Sequence, residues 1–190
     1  CALIGIAEKG MMNLEYSVSS AGGHASAPKP HTPVGVLADA CCKGENHPFT
    51  MHITAPAAKM FDTLGRHSTF LYRMIFANLW LFGGILDNLC KKQGGELNAL
   101  MRTTVAFTQM QGSKASNVIP PSASMVSNMR LNPADTMDSA MEYIRGVIDN
   151  DAVTLRCVEG MNPSPISETD CPAWDKVASA VAGTWQGSLV

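Results

Sequence analysis

Three polar residues stand where a polar residue needs a reason: His24, Asn117 and Arg130. His24 lies in Gly22-Gly23-His24-Ala25-Ser26, where glycines and small side chains leave its imidazole uncovered. Such a loop histidine is either a solvated surface group or a catalytic one. Asn117 precedes Val118-Ile119-Pro120-Pro121, whose prolines stiffen the chain behind it. It is either a turn-forming asparagine or an amide held for chemistry. Arg130 ends a strand-like run just before Leu131-Asn132-Pro133. It reads as a surface charge, or as a planar carboxylate-binding fork mounted on a rigid strand end.

Other chemistries find no foothold. A metal site needs several ligands at converging positions. His47 and His52 are separated by a proline, His24 and His31 flank a proline-rich loop, and Cys41 and Cys42 point different ways on a helix. No metal or cofactor site is therefore expected within this chain. Gly22-Gly23 lacks the further glycine or lysine that would cradle a phosphate. No Gly-x-Ser-x-Gly elbow occurs, and no nucleophile and base can be paired into a self-sufficient hydrolase.

The elements that must position these residues follow from periodicity. Leu14, Tyr16 and Val18 alternate with Glu15, Ser17 and Ser19, a half-buried strand closed by the turn-rich run from Ala21 to Pro28. Thr32-Pro33 is a cap and first turn, Leu37, Ala40 and Cys41 continue the helix, and Gly44 is its expected end. Two antiparallel strands are predicted around Thr103–Phe107 and Ala123–Arg130. A helix capped at Asp135-Thr136 carries Met137, Ala140, Met141, Ile144, Val147 and Ile148, and a final strand runs from Val153 to Val158. The order predicts an α+β fold: a four-stranded antiparallel sheet with two helices on one face, ferredoxin-like βαββαβ, carrying a helical insertion at about residues 47–98.

Inside that insertion, Phe70 to Phe82 is nearly apolar on all sides. It forms either one or two helices buried against the core, or an apolar surface that a substrate or partner covers. Residues 160–190 fall outside the pattern, with three prolines and then a helix bearing Trp174, Val177, Ala178 and Val181. They are read as the chain entering another domain, with residues 1–11 as the entry segment; both ends look cut. The uncharged or nearly uncharged runs Leu14–Ser19 and Ser122–Met129 are expected to offer open sheet edges to a second copy.

Composition narrows the partners. With 190 residues and 46% apolar content, the chain can bury one real core. Charged residues are 16% and the net charge is −2, which leaves no electrostatic footprint for nucleic acid. The six cysteines lack C-x-x-C pairs, so a reducing, cytoplasmic setting is expected. Arg73 and Asn78 interrupt the most apolar run, so no membrane span is expected.

Taken in order, Gly22-Gly23-His24-Ala25-Ser26 after one strand, Asn117-Val118-Ile119-Pro120, and Arg130 thirteen residues further on resemble the lid, or dimerisation, domain of peptidase family M20, the zinc-dependent aminoacylases and carboxypeptidases. Arg102-Thr103-Thr104 and the long insertion with Asn78-Leu79-Trp80-Leu81-Phe82 look most like the carboxypeptidase S and N-acyl-amino-acid hydrolase branch. The resemblance covers about residues 10–159. It implies a parent enzyme with one or two zinc ions and a general base outside this chain, cleaving amides of N-acyl-amino acids or peptides. It further implies that His24 crosses to a partner subunit to stabilise the oxyanion, that Asn117 orients the intermediate, and that Arg130 grips a terminal carboxylate. The implied partners are the catalytic domain of the same polypeptide, a second copy in a homodimer, and a small substrate; this chain alone would be inactive. The competing reading is a standalone α+β interaction domain without catalysis.

Overall fold

Strict alternation along the first strand drives Met12, Leu14, Tyr16 and Val18 into the core while their neighbours stay half-exposed. The computed structural model describes residues 1–187, so the expectation for 188–190 lies outside the described residues. In chain order the elements are β1 (Gly10–Ser19), β2 (Gly23–His24), α1 (Pro33–Asn46), α2 (Ala55–Arg66), α3 (Phe70–Ala77), α4 (Leu79–Gln93), α5 (Gly95–Met101), β3 (Thr104–Gln111), β4 (Val118–Ile119), β5 (Ser122–Leu131), α6 (Met137–Ile148), β6 (Thr154–Met161) and α7 (Pro172–Thr184). Four strands form one antiparallel sheet in the order β3-β5-β1-β6, the ferredoxin-like arrangement, and β2 pairs with β4 separately. The final strand continues three residues past its expected end.

One face of the sheet buries β1 and β5 residues, Met125, Met129 and Leu131 among them, beneath Val36, Leu37 and Ala40 of α1 and Ala140, Ile144 and Ile148 of α6. Tyr16 reaches Ser127 Oγ across the core (2.9 Å), and burial pushes its phenol up to about 12. The opposite face carries a polar ladder instead. Asn128 Nδ2 donates to Asn13 Oδ1 (2.7 Å), and Arg156 pairs with Glu15 (2.7 Å).

The helix starts follow the sequence signals. Thr32 Oγ1 accepts from the Gly35 N–H with Pro33 in the first turn, and Thr136 forms a capping box with Ser139. Gly44, expected as a helix end, proves to be interior to α1. A Cβ there would sit 2.7 Å from Phe107 Cζ, so the glycine admits the β3 aromatic ring rather than stopping the helix.

One further expectation is corrected and one open alternative is decided. Leu14–Ser19 and Ser122–Met129 belong to the central strands; the edges are β3 and β6. Alternation reveals which side of a strand is buried but not its place in the sheet. The apolar run of the insertion is not sunk into the core either. Phe70 is 80% and Trp80 83% exposed, on two helices bent by 102° at Asn78. Among the described residues no single helix is long and apolar enough to cross a membrane.

The insertion has a small core of its own, Ala57, Phe61, Cys90 and Met101. It is pinned to the sheet by Arg102, 1% exposed, which donates through Nη1 to the Phe49 carbonyl (2.7 Å) and through Nη2 to Asp87. Asp87 also pairs with Lys91 (2.7 Å), and these two cations hold its carboxyl below the usual range despite its desolvation.

Candidate functional site

Pairing between β1 and β5 does not stop at the sheet. The Ser20 N–H donates to the Pro121 carbonyl (2.8 Å), Gly23 faces Ile119, His24 faces Val118, and the Ala25 N–H donates to the Asn117 carbonyl (2.9 Å). A two-stranded projection results, bearing His24 on one strand and Asn117 at the outer end of the other. Pro120 and Pro121 have no N–H to give, so the regular ladder breaks between β4 and β5 while their carbonyls still accept from Ser20. Gly22 makes the matching bend at φ +67°, where a Cβ would lie 3.3 Å from the Ile119 carbonyl oxygen.

His24 is exposed at this tip. Its Nδ1 lies 2.8 Å from Ser26 Oγ and accepts the Ser26 N–H at 3.2 Å. Among the described residues Nε2 has no partner, nor does the side-chain amide of Asn117. Two hydrogen-bonding side chains without a partner among the described residues therefore stand at the tip of the projection, one register step apart, and either could donate to a bound oxygen on which negative charge develops.

Arg130 lies elsewhere. It is exposed on the helix-free face of β5, between Met11 on β1 and Thr104 on β3. Twelve positions along the chain, most of them the extended strand β5, separate it from Val118, so His24 and Arg130 of one chain are on the order of 30 Å apart. The sequence places all three on matching elements; the structure brings His24 and Asn117 together and leaves Arg130 at the opposite end of the sheet.

The Arg130 end is also where the chain comes and goes. The segment before β1 pairs with the segment after β6, Ser164 N–H donating to Glu8 and Ser167 N–H to Ile6. Lys9 is held here by the carbonyls of Ala99 (2.6 Å) and Arg102 (3.0 Å). Burial lowers its ammonium to about 8, with Asp135 opposing the shift and Arg130 adding to it. Sequence reasoning missed both Lys9 and Ser26. Nothing in Glu8-Lys9-Gly10 marks a half-buried lysine, whereas a serine two residues beyond a loop histidine is a local hydrogen-bonding signal that was there to read.

Among the described residues no group of three or more histidine, cysteine or acidic side chains could hold a metal ion. The residues present do not fit the zinc that the family resemblance implies.

Comparison with known proteins supplies the wider frame. The sequence model of the peptidase dimerisation domain matches residues 6–155. The chain is 34% identical over 181 residues to a probable carboxypeptidase S-like 2 of Dictyostelium discoideum, covering 95% of this chain and 34% of that protein. It is 35% identical over 170 residues to the N-fatty-acyl-amino acid synthase/hydrolase PM20D1 of Xenopus tropicalis, covering 89% and 33%. The chain thus spans about a third of the length of the curated relatives it matches. In fold it resembles human carnosine dipeptidase 1, with TM-score 0.56 and 12% identity over 95% of this chain and 43% of that one. A dipeptidase of Saccharomyces cerevisiae, Dug1p, gives TM-score 0.57 at 10% identity, covering 93% and 41%.

Proposed function

Since the chain belongs to the dimerisation-domain family of the M20 peptidases, we propose that it is the substrate-capping and dimer-forming lid of a zinc-dependent amidohydrolase acting on N-acyl-amino acids or peptides. The metal and general base would then lie outside this chain, and no step performed by the domain runs through them. Residues 1–11 and 160–190 would be its connections to the catalytic domain, with the insertion carried between α1 and β3.

The observation that carries the reading is the split of the three polar residues between two ends of one sheet. A small substrate cannot bridge roughly 30 Å, so in this reading His24 with Asn117 would serve one active site of a dimer and Arg130 the other. Arg130 stands where the chain enters and leaves, and would grip the carboxylate of a substrate held by its own catalytic domain. His24 and Asn117 project the other way, and would donate to the oxyanion in the partner's site, where one donor contributes about 3 kcal/mol.

Edge chemistry supports this assembly. The eight residues of β3 carry no charge, whereas β6 carries Arg156 and Glu159. Antiparallel pairing of β3 with its copy about a two-fold axis reverses the partner sheet, so one copy's His24 end lies beside the other's Arg130 end. Three strand spacings separate the two β5 strands, about 14 Å, against about 24 Å for pairing through β6. The six free cysteines fit a cytoplasmic setting for the enzyme.

The test is steady-state kinetics of the full-length enzyme. His24→Ala should preserve folding and dimerisation while cutting turnover roughly 100-fold or more, the scale of a lost oxyanion donor. Turnover within about threefold of the parent would rule the role out.

A further inference from the structure

Resting on the reading of His24 as an oxyanion donor, we infer that Ser26 is its positioning residue: it fixes the ring with Nδ1 turned back on its own loop and the Nε2–H turned outward. A backbone N–H can only donate, so the Ser26 N–H at 3.2 Å requires a lone pair on Nδ1. The neutral ring must then carry its proton on Nε2. Ser26 Oγ, 2.8 Å from the same nitrogen, adds a second donor to that lone pair.

The turn that brings Ser26 over the ring is itself anchored. The Ala25 N–H is tied to Asn117 across the β2–β4 ladder, and the Ala27 N–H closes back on the His24 carbonyl (3.2 Å). These restraints matter because the ring is exposed, its chain neighbours are glycine and alanine, and Val118 opposite it on the ladder is itself exposed. Without the hydroxyl the imidazole is freer to leave its orientation, and an oxyanion donor is effective only when held in place before the charge develops. The outward Nε2–H is the form that can donate to an oxygen in a partner's site; the other tautomer would present a lone pair to it and repel.

The experiment combines ring ¹⁵N spectroscopy on this chain with kinetics on the full-length enzyme. Above the imidazole titration range, the spectrum should show His24 unprotonated at Nδ1 and protonated at Nε2. Ser26→Ala should raise the share of the Nδ1–H tautomer and lower kcat about tenfold with KM unchanged, a smaller loss than deletion of the donor because the backbone N–H remains. Ser26→Thr, which restores a hydroxyl, should recover both readouts. Parental kcat in Ser26→Ala, an Nδ1–H tautomer in the unaltered protein, or failure of threonine to rescue would each overturn the inference while His24→Ala still showed its own loss. If His24→Ala itself kept full turnover, the reading beneath would fail first, and the positioning role with it.

Discussion

Replacing Arg102 with methionine should destabilise the protein more than any surface substitution, because this guanidinium is the joint between insertion and sheet. The side chain is 1% exposed, and its loss would orphan the Phe49 carbonyl and remove one of two cations from Asp87. Breaking a buried ion pair by deleting one partner typically costs about 3–5 kcal/mol. Two features of the joint reduce that figure. Asp87 is 22% exposed and keeps Lys91 at 2.7 Å, and the Arg102 Nε–H is buried without an acceptor, a cost that methionine removes. Together they bring the expected loss to about 2–3 kcal/mol. For a chain of this size each kcal/mol shifts Tm by about 2–4 °C, so the midpoint should fall by about 4–12 °C. Urea unfolding of the parent, Arg102→Met, Asp87→Asn and the double variant would separate the pair from its surroundings, with a coupling of at least about 0.5 kcal/mol expected. An Arg102→Met protein within about 0.5 kcal/mol of the parent, or a cycle that closes without coupling, would refute the reasoning.

Two further outcomes follow from the same structure. Gly22→Ala forces a Cβ into a left-handed bend and towards the Ile119 carbonyl, costing roughly 1–2 kcal/mol. Amide exchange at Ala25, whose N–H is tied to Asn117, should accelerate, and unchanged protection there would show that the bend does not hold the projection. Lys9 sits at about 8 in the folded protein against 10.5 in the free side chain, so between those values only the unfolded chain binds this proton and stability contributed by this group rises with pH. Urea midpoints at pH 8 and pH 10 should therefore move in favour of the parent relative to Lys9→Met; parallel changes in the two proteins would contradict the depressed ammonium.

Where side-chain period alone decides an element, the sequence was a sufficient guide. The alternation at Leu14, Tyr16 and Val18 and the 3.6-residue repeat at Ala140, Ile144 and Ile148 both identify core faces that the structure buries. Gly44 was misread because a glycine in a helical run carries the same signal whether it ends the helix or admits a ring from a strand about sixty residues away. The insertion shows the same limit in another form. Phe70 and Trp80 are as apolar as any core residue, and nothing local says whether the surface that covers them lies within this chain. His24 was legible as an uncovered residue in a glycine-rich loop and Asn117 as one on a proline-stiffened chain, but the approach of their backbones depends on Ser20, Ala25 and the two proline carbonyls closing a ladder between segments nearly a hundred residues apart. The distance from His24 to Arg130, on which the proposed sharing of the site rests, appears only once β1 and β5 are paired in register.

That sharing is tested most directly by mixing two crippled full-length enzymes, His24→Ala and Arg130→Ala, under conditions where subunits exchange. If each active site takes Arg130 from its own chain and His24 from its partner, a mixed dimer contains one site with both residues intact and one with neither. Random exchange makes about half of the dimers mixed, so activity should rise from near zero to about a quarter of the parental value. Activity that stays at the level of the separate variants, with subunit exchange verified, would contradict the shared site and leave His24 and Arg130 without the division of labour proposed for them.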